Sequence, residues 1–369
     1  MWMNSGVAEA CHAPSYDAIT QTVGLSAAER DRDGCFPESA FDALRRFGLV
    51  RWPPLAGGDV LRLFRLLAAI GRGDLSVGRI FEGHVNALFL IQLFGTSVQR
   101  ERYEVLASIG RLFGVWNTDM PEEPLTLVGT RLRGRKSFAS GVDGLSHAIV
   151  TVDQPRGRLM IVVPVAGMPV DRSWWRPLGM RASGSHIIDL TGLEIDPDWI
   201  LGQHGDYVRE PWFSSGAIRF LAVHLGGTHA VLDAVVAHLR RTDRLKDSYQ
   251  RHRIGRMGTE VESGYGWLDR AAALWREAVN DGPASPAGKR LTTFANAARG
   301  AVESLALAVL EDAERSVGAA GMIAPHPLER LIRDLRTYLR QPNPDAALAA
   351  VGSAIADGTW CPGRASGDG

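Results

Sequence analysis

The chain has 369 residues, 45% of them hydrophobic, and is long enough to form roughly two or three domains with a large buried core. Lysine plus arginine and aspartate plus glutamate number 41 each, and this balance argues against nucleic acids and anionic membrane surfaces as partners. No apolar run approaches the roughly 18 residues of a membrane-spanning helix, and no signal-peptide pattern is seen, so we expect a cytoplasmic protein. The scattered histidines and the three cysteines predict no metal site.

The first third of the chain is predicted to be helical. Residues 1–28 are small and polar with little periodicity, which indicates a partly ordered arm. Helical periodicity then appears in four segments, one of which has Asp59 as its expected N-cap. These segments lie at about residues 37–48, 59–71, 78–93 and 95–103. Together they indicate an N-terminal helical domain within residues 1–110.

The periodicity changes to two in residues 111–205. Short runs rich in β-branched residues alternate there with clusters of glycine, proline and aspartate. The runs lie at residues 125–132, 136–139, 148–152, 159–163 and 187–190. We expect them to form a small β domain between two helical domains.

Helical spacing returns in residues 206–369. Two long stripes of apolar and small residues step by three and four, and the proline-containing residues 283–286 separate them. The stripes comprise Ile254, Met257, Val261, Gly264, Leu268 and Ala271, then Phe294, Ala298, Ala301, Leu305 and Ala308. A helix that begins near Ile218 carries small residues suited to close helix packing, namely Gly226, Gly227, Ala230 and Ala234. We expect a helical bundle whose last helix ends before Pro342.

Motifs distributed along the chain carry a family resemblance. The first is Gly95-Thr-Ser-Val-Gln-Arg-Glu-Arg-Tyr103, and Leu178-Gly-Met-Arg-Ala-Ser183 closes the β region. A loop with Gly318 and Gly321 is then followed by Glu329-Arg330 and Arg333-Asp334. In this order the motifs resemble the acyl-CoA dehydrogenase family over roughly residues 30–345. The resemblance implies an α+β, mostly α fold: an N-terminal helical domain, a middle β-barrel-like domain and a C-terminal four-helix bundle.

The resemblance also implies FAD as the cofactor. By position, Phe138 packs on the flavin ring and Ser140 reaches its reactive nitrogen, while Arg219 lies beside flavin and substrate. Arg240 contacts the pyrophosphate across a subunit contact, so a homodimer or homotetramer is expected. The loop from Gly318 to Gly321 receives the adenosine in the same way. The complete set of expected flavin contacts is Trp116, Thr118, Phe138, Ser140, Arg240, Thr242, Gly318 and Gly321.

The family's catalytic glutamate has no counterpart in this sequence. Its position falls at or next to Pro342, and the family's alternative carboxylate position falls near Ile218. A carboxylate is needed to remove the α-proton of an acyl thioester while a hydride goes to the flavin. We therefore expect an FAD-dependent oxidoreductase that acts on an acyl thioester or a related small molecule, with its base relocated or lost. An electron-transfer protein or a flavin reductase is its expected redox partner.

Two alternatives rest on the same residues. The first is a two-component monooxygenase, which takes reduced flavin from a separate reductase, reacts it with oxygen and needs a dry pocket but no such base. His84, as a catalytic or substrate-binding candidate, together with Ser140 and Gln341, resembles that branch of the fold. The second is a catalytically inactive binding protein, which the unusual residues Arg315 and Ala319 favour.

Overall fold

The computed structural model describes residues 14–51 and 60–363, in which helical regions precede and follow a small β region. The helices are α1 (Tyr16–Gly24), α2 (Ala27–Asp33), α3 (Glu38–Arg46), α4 (Val60–Gly73), α5 (Leu75–Phe94), α6 (Ser97–Ser108), α7 (Trp212–Ser215), α8 (Ala217–Arg241), α9 (Ser248–Asp281), α10 (Pro286–Val317), α11 (Pro327–Tyr338) and α12 (Pro344–Ala356). The strands are β1 (Phe113–Trp116), β2 (Thr126–Val128), β3 (Arg131–Arg133), β4 (Arg135–Ala139), β5 (His147–Val152), β6 (Leu159–Pro164), β7 (Val170–Asp171), β8 (His186–Asp189) and β9 (Ile200–Leu201). The expected α+β, mostly α architecture is confirmed.

The described part of the predicted arm, residues 14–28, is largely helical, and the prediction for residues 1–13 lies outside the described residues. The Ser15 side chain caps α1, and Ile19 and Val23, four residues apart, are buried on one face. Arg30 of α2 forms a buried ion pair of 2.8 Å with Asp74, the N-cap of α5. This segment is therefore held by its own cap and by contacts with the helical core.

Helices α4 and α8 cross at a contact made by small residues. A side-chain carbon at Gly226 would lie 2.0 Å from the Ala68 carbonyl oxygen, and one at Gly71 would lie 2.5 Å from that of Val223. Only glycine permits this approach. The close packing predicted for this part of α8 is confirmed, with α4 as the partner. Asp59, the expected N-cap of α4, lies outside the described residues.

Two small sheets and a hairpin form the β region. One sheet has the order β1-β5-β6-β9, in which β1 and β5 are parallel and the other pairs antiparallel. The second has the antiparallel order β4-β8-β7, and the run predicted at 125–132 folds back as the hairpin β2-β3. The fully buried Lys136 of β4 lies 2.6 Å from Asp119 and donates to the Asn117 carbonyl, so β4 is held beside the segment that leaves β1.

Helices α8 to α11 form the C-terminal bundle, and the predicted stripes on α9 and α10 face its interior. Helix α12, which the sequence did not predict, packs on α10, where Leu348 covers Gly300. Pro344 starts this helix at its first turn.

One helical stretch among the described residues, Trp212–Arg241, is apolar and long enough to cross a membrane by length and composition alone. This finding corrects the expectation that no apolar segment approaches that length. However, 61% of its most apolar window is buried inside the protein, where α8 packs against α4, α9, α10 and α11. A helix that is apolar around much of its circumference is typical of a protein core.

The first family-like motif fastens α6 to the β region. Thr96 and Gln99 form a capping box at the start of α6. The Gln99 side-chain amide also donates to the carbonyls of Asp198 and Ile200, at 2.9 and 2.8 Å. The motif therefore has a structural role at the start of β9.

The two later motifs meet at what we call the interdomain joint: Gly179, Met180, Arg330, Arg333 and Asp334. The Asp334 carboxylate accepts the Met180 backbone N–H at 2.6 Å and pairs with Arg330 at 3.1 Å. A side-chain carbon at Gly179 would lie 2.2 Å from the Arg333 backbone. The joint locks the end of the β region onto α11.

Candidate active site

A cavity of about 530 Å³ lies where the β region meets α5, α7, α8, α10 and the chain after α11. Six of the residues singled out from the sequence line it, namely Thr118, Phe138, Ser140, Arg219, Gln341 and Pro342. The other predicted site residues do not: His84, Trp116, Arg240, Thr242, Gly318 and Gly321. The structure thus separates the predicted residues into a cavity group and an outlying group.

A bulge in β4 turns Phe138 out of the sheet. The register of β4 against β8 shifts between Lys136 and Ala139, and Phe138 has a φ of 52°. A left-handed backbone is costly for a residue with a side chain, so it points to a functional constraint. Thr118 lies alongside, because its carbonyl accepts the Ser137 N–H at 3.0 Å. The bulge therefore places an aromatic ring and Thr118 together at the cavity.

Ser140 begins a chain of three buried hydroxyl groups on the cavity wall. Its Oγ lies 2.7 Å from Oγ of Ser185, which lies 2.8 Å from Oγ of Ser183. Trp116 is buried behind this chain and donates from Nε1 to the Ser140 carbonyl at 3.3 Å. Trp116 thus supports Ser140 from behind. Sequence reasoning missed Ser185, although it lies two residues beyond the motif that ends at Ser183.

Arg219 of α8 brings a positive charge into an apolar setting. Its side chain is buried, Nη2 donates to Oδ1 of Asn86 at 2.5 Å, and the guanidinium lies 5.0 Å from the Phe89 ring centroid. Its Nε has no hydrogen-bond partner among the described residues. Burial lowers the pKa of Arg219 to about 10, so the group remains charged at neutral pH. The cavity therefore contains a buried cation with an unused donor.

The carboxylate in the cavity lining belongs to Glu82, and it is already paired. Glu82 is buried and lies 2.7 Å from Arg79, one turn earlier on α5. Nearby, burial raises the pKa of the Tyr207 hydroxyl to about 12 and also raises the pKa of Tyr338. Both tyrosines are protonated at neutral pH. Among the residues that the structure describes, the lining therefore offers hydroxyl donors but no free carboxylate.

The position expected for the family's base does lie at the cavity. Pro342 lines it, and the Pro342 carbonyl accepts a hydrogen bond of 2.6 Å from Nη2 of Arg299. Asn343 has a φ of 57°, although a residue before proline is expected to be extended, and this turn leads the chain into α12. Arg299 and Asn296, one turn apart on α10, both line the cavity. Sequence reasoning missed both, because no motif surrounds them.

His84 lies outside the cavity lining, which corrects its candidate role. Its Nε2 lies 2.9 Å from the Val50 carbonyl oxygen, and its Nδ1 accepts the Phe113 N–H at 3.2 Å. Burial lowers the pKa of His84 to about 4, so the ring is neutral. Since backbone groups occupy both ring nitrogens, His84 links α5 to β1 and has no free group for a substrate.

The outlying predicted residues lie at what we call the α8 end: Arg240, Thr242, His238, His326 and the turn Gly318–Met322. Arg240 and Thr242 are exposed where α8 terminates. His238 Nδ1 lies 3.0 Å from Nε2 of His326, the N-cap of α11, which follows the glycine turn. The structure thus brings the predicted phosphate and adenosine contacts to one end of the bundle.

The two glycines at the α8 end are required for different structural reasons. Gly318 has a φ of 74°. A side-chain carbon at Gly321 would lie 2.9 Å from the Val317 side chain and 3.0 Å from that of Leu328. The prediction that these glycines provide a positive φ or a close approach is confirmed, and their contact with adenosine stays a prediction.

The chemistry of the cavity fits a flavin ring, which is planar, aromatic and edged with nitrogen and oxygen atoms. The Phe138 ring is 49% exposed and available for packing. The hydroxyl of Ser140 and the unused Nε of Arg219 supply polar groups on two sides. A planar cofactor with polar edges would satisfy these groups.

Comparison with known proteins shows which families and structures share this architecture. Residues 204–339 match the family model for the acyl-CoA dehydrogenase C-terminal domain. A dibenzothiophene monooxygenase from Mycolicibacterium goodii is 23% identical over 380 residues, which cover 91% of this chain and 91% of that protein. The crystal structure of the dibenzothiophene monooxygenase from Paenibacillus sp. A11-2 with FMN and indole has a TM-score of 0.84 at 20% identity, covering 95% of this chain and 98% of that one. Butyryl-CoA dehydrogenase from Megasphaera elsdenii has a TM-score of 0.78 at 19% identity, covering 92% and 97%.

The fold is that of the acyl-CoA dehydrogenases, as the sequence predicted. The chain as a whole resembles the acyl-CoA dehydrogenase-like proteins, and residues 204–339 carry the match to the family model. These likenesses leave the type of reaction open, since the named relatives include both monooxygenases and a dehydrogenase.

Proposed function

We propose that the protein is the oxygenase component of a two-component monooxygenase, which uses reduced FMN and dioxygen to oxygenate a small organic molecule. The main support is that the carboxylate in the cavity lining, Glu82, is buried and paired with Arg79, while Pro342 occupies the position expected for the base. Removal of an α-proton needs a free carboxylate within hydrogen-bond reach. Oxygen transfer from a reduced flavin does not, so the cavity favours the oxygenase over the dehydrogenase.

Names among the relatives support the same choice. The Mycolicibacterium goodii and Paenibacillus proteins are dibenzothiophene monooxygenases, and the second was solved with FMN. We therefore propose FMN in place of the FAD expected from the sequence. FMN has no adenosine, so the turn Gly318–Met322 would have none to receive, whereas Arg240 and Thr242 would still meet a phosphate.

When bound, reduced FMN would supply the two electrons that turn dioxygen into one transferred oxygen atom and one water molecule. Thr118, Phe138 and Ser140 would hold its ring. Trp212 and Phe220 line the cavity and would limit the access of water. The protonated hydroxyls of Tyr207 and Tyr338 would orient the substrate.

The wider assembly forms part of this proposal. Arg240 and Thr242 are exposed and lie outside the cavity, so they would reach the flavin phosphate of a neighbouring subunit. We accordingly propose a homodimer or homotetramer in the cytoplasm, served by a separate flavin reductase.

The direct test is reconstitution of the purified protein with FMN, NADH, a separate flavin reductase and isotopically labelled dioxygen. Indole, dibenzothiophene and the anionic naphthoate serve as trial substrates. We expect label from dioxygen, and none from labelled water, in a product detected by mass spectrometry. An otherwise identical reaction without the reductase is the control.

A second experiment tests the alternative that the protein is a dehydrogenase. The protein with oxidised flavin is mixed anaerobically with a panel of acyl-CoA thioesters, and the flavin absorbance is followed. We expect no bleaching. Bleaching by an acyl-CoA, without labelled product in the first arm, would overturn the proposal in favour of dehydrogenation.

A further inference from the structure

The charges that line the cavity are unbalanced. In the described part of the chain, four arginines line it, Arg79, Arg219, Arg299 and Arg340, against the single carboxylate of Glu82. Glu82 pairs with Arg79, and Glu303 outside the lining pairs with Arg340 at 2.5 Å. Arg219 and Arg299 have no carboxylate within ion-pair distance among the described residues. A cavity that holds uncompensated cations at low dielectric attracts anions.

Arg299 is the cation best placed to meet a ligand. Its Nη2 uses one donor on the Pro342 carbonyl at 2.6 Å, and its guanidinium lies 5.9 Å from the Phe220 ring centroid. A guanidinium carries five N–H donors in a planar fork that matches an oxyanion. Burial lowers the pKa of Arg299, which indicates partial loss of hydration. The remaining donors are therefore available at a site where water competes less than at an open surface.

Neighbouring groups complete an oxyanion site, which we call the Pro342 wall: Asn296, Arg299, Gln341 and Pro342. Asn296 lies one turn before Arg299 on α10, so both side chains share one helix face and both line the cavity. The Gln341 amide is turned back to the Tyr338 carbonyl at 2.9 Å. An oxyanion at this wall would meet a guanidinium and an amide without an opposing carboxylate from the lining.

We propose that the Pro342 wall binds a carboxylate, sulfinate or sulfonate group of the substrate, with Arg299 as the residue that selects anionic over neutral molecules. The inference rests on the proposed function in taking this cavity as the active site. It adds the class of substrate, a small molecule with an apolar body and one oxyanion. The flavin phosphate is a second source of an oxyanion. The residues assigned to the flavin ring lie on the β side of the cavity, whereas Arg299 lies on α10.

The test measures binding without flavin, and therefore without any oxygenase activity. Naphthoate and naphthamide have nearly the same shape and differ in charge, and Trp175 and Trp212 line the cavity and report binding by fluorescence quenching. We expect naphthoate to bind about tenfold or more tightly than naphthamide, as a charge-assisted hydrogen bond implies. Equal affinity for the two, or binding of neither, in the wild-type protein would overturn the inference.

The variant Arg299→Gln should remove this preference, and Arg299→Lys should restore part of it because the charge is kept. Lys289→Gln, an exposed residue on the same helix, is the matched loss of one positive charge and should leave the preference intact. FMN and riboflavin separate the two sources of oxyanion, and Arg299→Gln should affect their binding equally. If Arg299→Gln weakened FMN alone and left naphthoate binding unchanged, Arg299 would serve the flavin phosphate and the substrate assignment would be wrong.

Failure of this inference is distinguishable from failure of the proposed function. Labelled oxygen in a product, with no preference for naphthoate, would keep the oxygenase and refute the anionic substrate class. A strong preference for naphthoate without oxygenation would keep the anion site and refute the oxygenase.

Discussion

The interdomain joint and the Pro342 wall are neighbours along one segment, since Asp334 and Pro342 lie eight residues apart. The arginines of the two regions nevertheless have opposite surroundings. At the joint, Arg333 contacts the carboxylates of Glu329 and Asp31, at 2.9 and 2.7 Å, and donates to the Leu178 carbonyl. The hydrogen bonds to Glu329, with further help from Asp31, raise the pKa of Arg333. At the wall, Arg299 meets one backbone carbonyl and burial lowers its pKa.

The difference shows which residues stabilise and which are left for a ligand. The joint consists of motifs that match the family, and its polar groups are saturated by other residues of the chain. At the wall, Pro342 departs from the family pattern and the arginine beside it keeps donors unused. Saturated charges support a fold, whereas unsaturated ones at a cavity indicate binding.

The largest expected effect is at the joint. Asp334→Ala removes the carboxylate that pairs with Arg330 and accepts the Met180 N–H. The N–H is then left buried without a partner, and so is the largely covered Arg330. We expect a loss of about 3 to 5 kcal/mol in the free energy of unfolding, measured with urea. Glu104→Ala, which removes an exposed carboxylate on α6, is the control and should change it by less than about 0.5 kcal/mol.

A somewhat smaller loss is expected at His84, which separates a structural histidine from a catalytic one. His84→Ala leaves the Phe113 N–H and the Val50 carbonyl unpaired and opens a void, so unfolding should become easier by about 3 kcal/mol. Flavin binding by the folded variant should be unchanged. His252→Ala, at an exposed position, is the matched control. Loss of flavin binding in a stable His84 variant would show that His84 contributes to the active site after all.

The joint should also respond to pH. Burial raises the pKa of Asp334 from 3.8 to about 6, against the opposing effects of Arg330 and the Met180 N–H. Because the folded state holds this proton more tightly, the stability contribution of Asp334 falls as pH rises between these values, by at most about 1.4 kcal/mol per pH unit. The wild type should therefore lose stability relative to Asp334→Asn over that range in urea titrations. A constant difference would show that the carboxylate titrates normally.

At the wall, Pro342→Glu should change stability by less than about 1 kcal/mol and should not create a dehydrogenase. Arg299 already bonds to the Pro342 backbone and would pair with the new carboxylate, which lowers the pKa of that group and makes it a poor base. In addition, the left-handed backbone of Asn343 changes the direction of the chain directly after residue 342. Anaerobic flavin bleaching with acyl-CoA thioesters is the measurement. Turnover of any of them by this variant would show that only the base was lost.

The smallest change in stability is expected at the α8 end. Replacing Arg240 and Arg241 together by alanine should alter the free energy of unfolding by less than about 0.5 kcal/mol, because both are exposed. FMN binding should weaken about tenfold or more through loss of charge-assisted phosphate contacts. Riboflavin, which lacks the phosphate, is the matched ligand and should bind as before. Equal FMN affinity in variant and wild type would place the phosphate elsewhere.

Features that depend on nearby residues could be predicted from the amino-acid sequence. The predicted helical segments at 59–71, 78–93 and 95–103 correspond to α4, α5 and α6, Gly318 takes its positive φ, and most of the predicted stripe residues on α9 and α10 are buried. Each of these signals acts within one or two helical turns, so it can be read along the chain. The family motifs made it possible to predict the whole architecture as well, and with it the residues Thr118, Phe138 and Ser140 that line the cavity.

Most of the other polar side chains that face the cavity could not be predicted in this way, because they are set by the packing of distant segments. His84 and Arg299 both lie on helices, and neither has a local signal that tells a structural partner from a ligand site. Nε2 of His84 meets a carbonyl 34 positions away, and Arg299 meets one 43 positions away. The role of each depends on which distant backbone groups fill its hydrogen bonds: both nitrogens of His84 are occupied, whereas Arg299 keeps donors for an anion. Such pairing is set by how α5, α10 and the chain after α11 pack, and spacing along the sequence does not encode it.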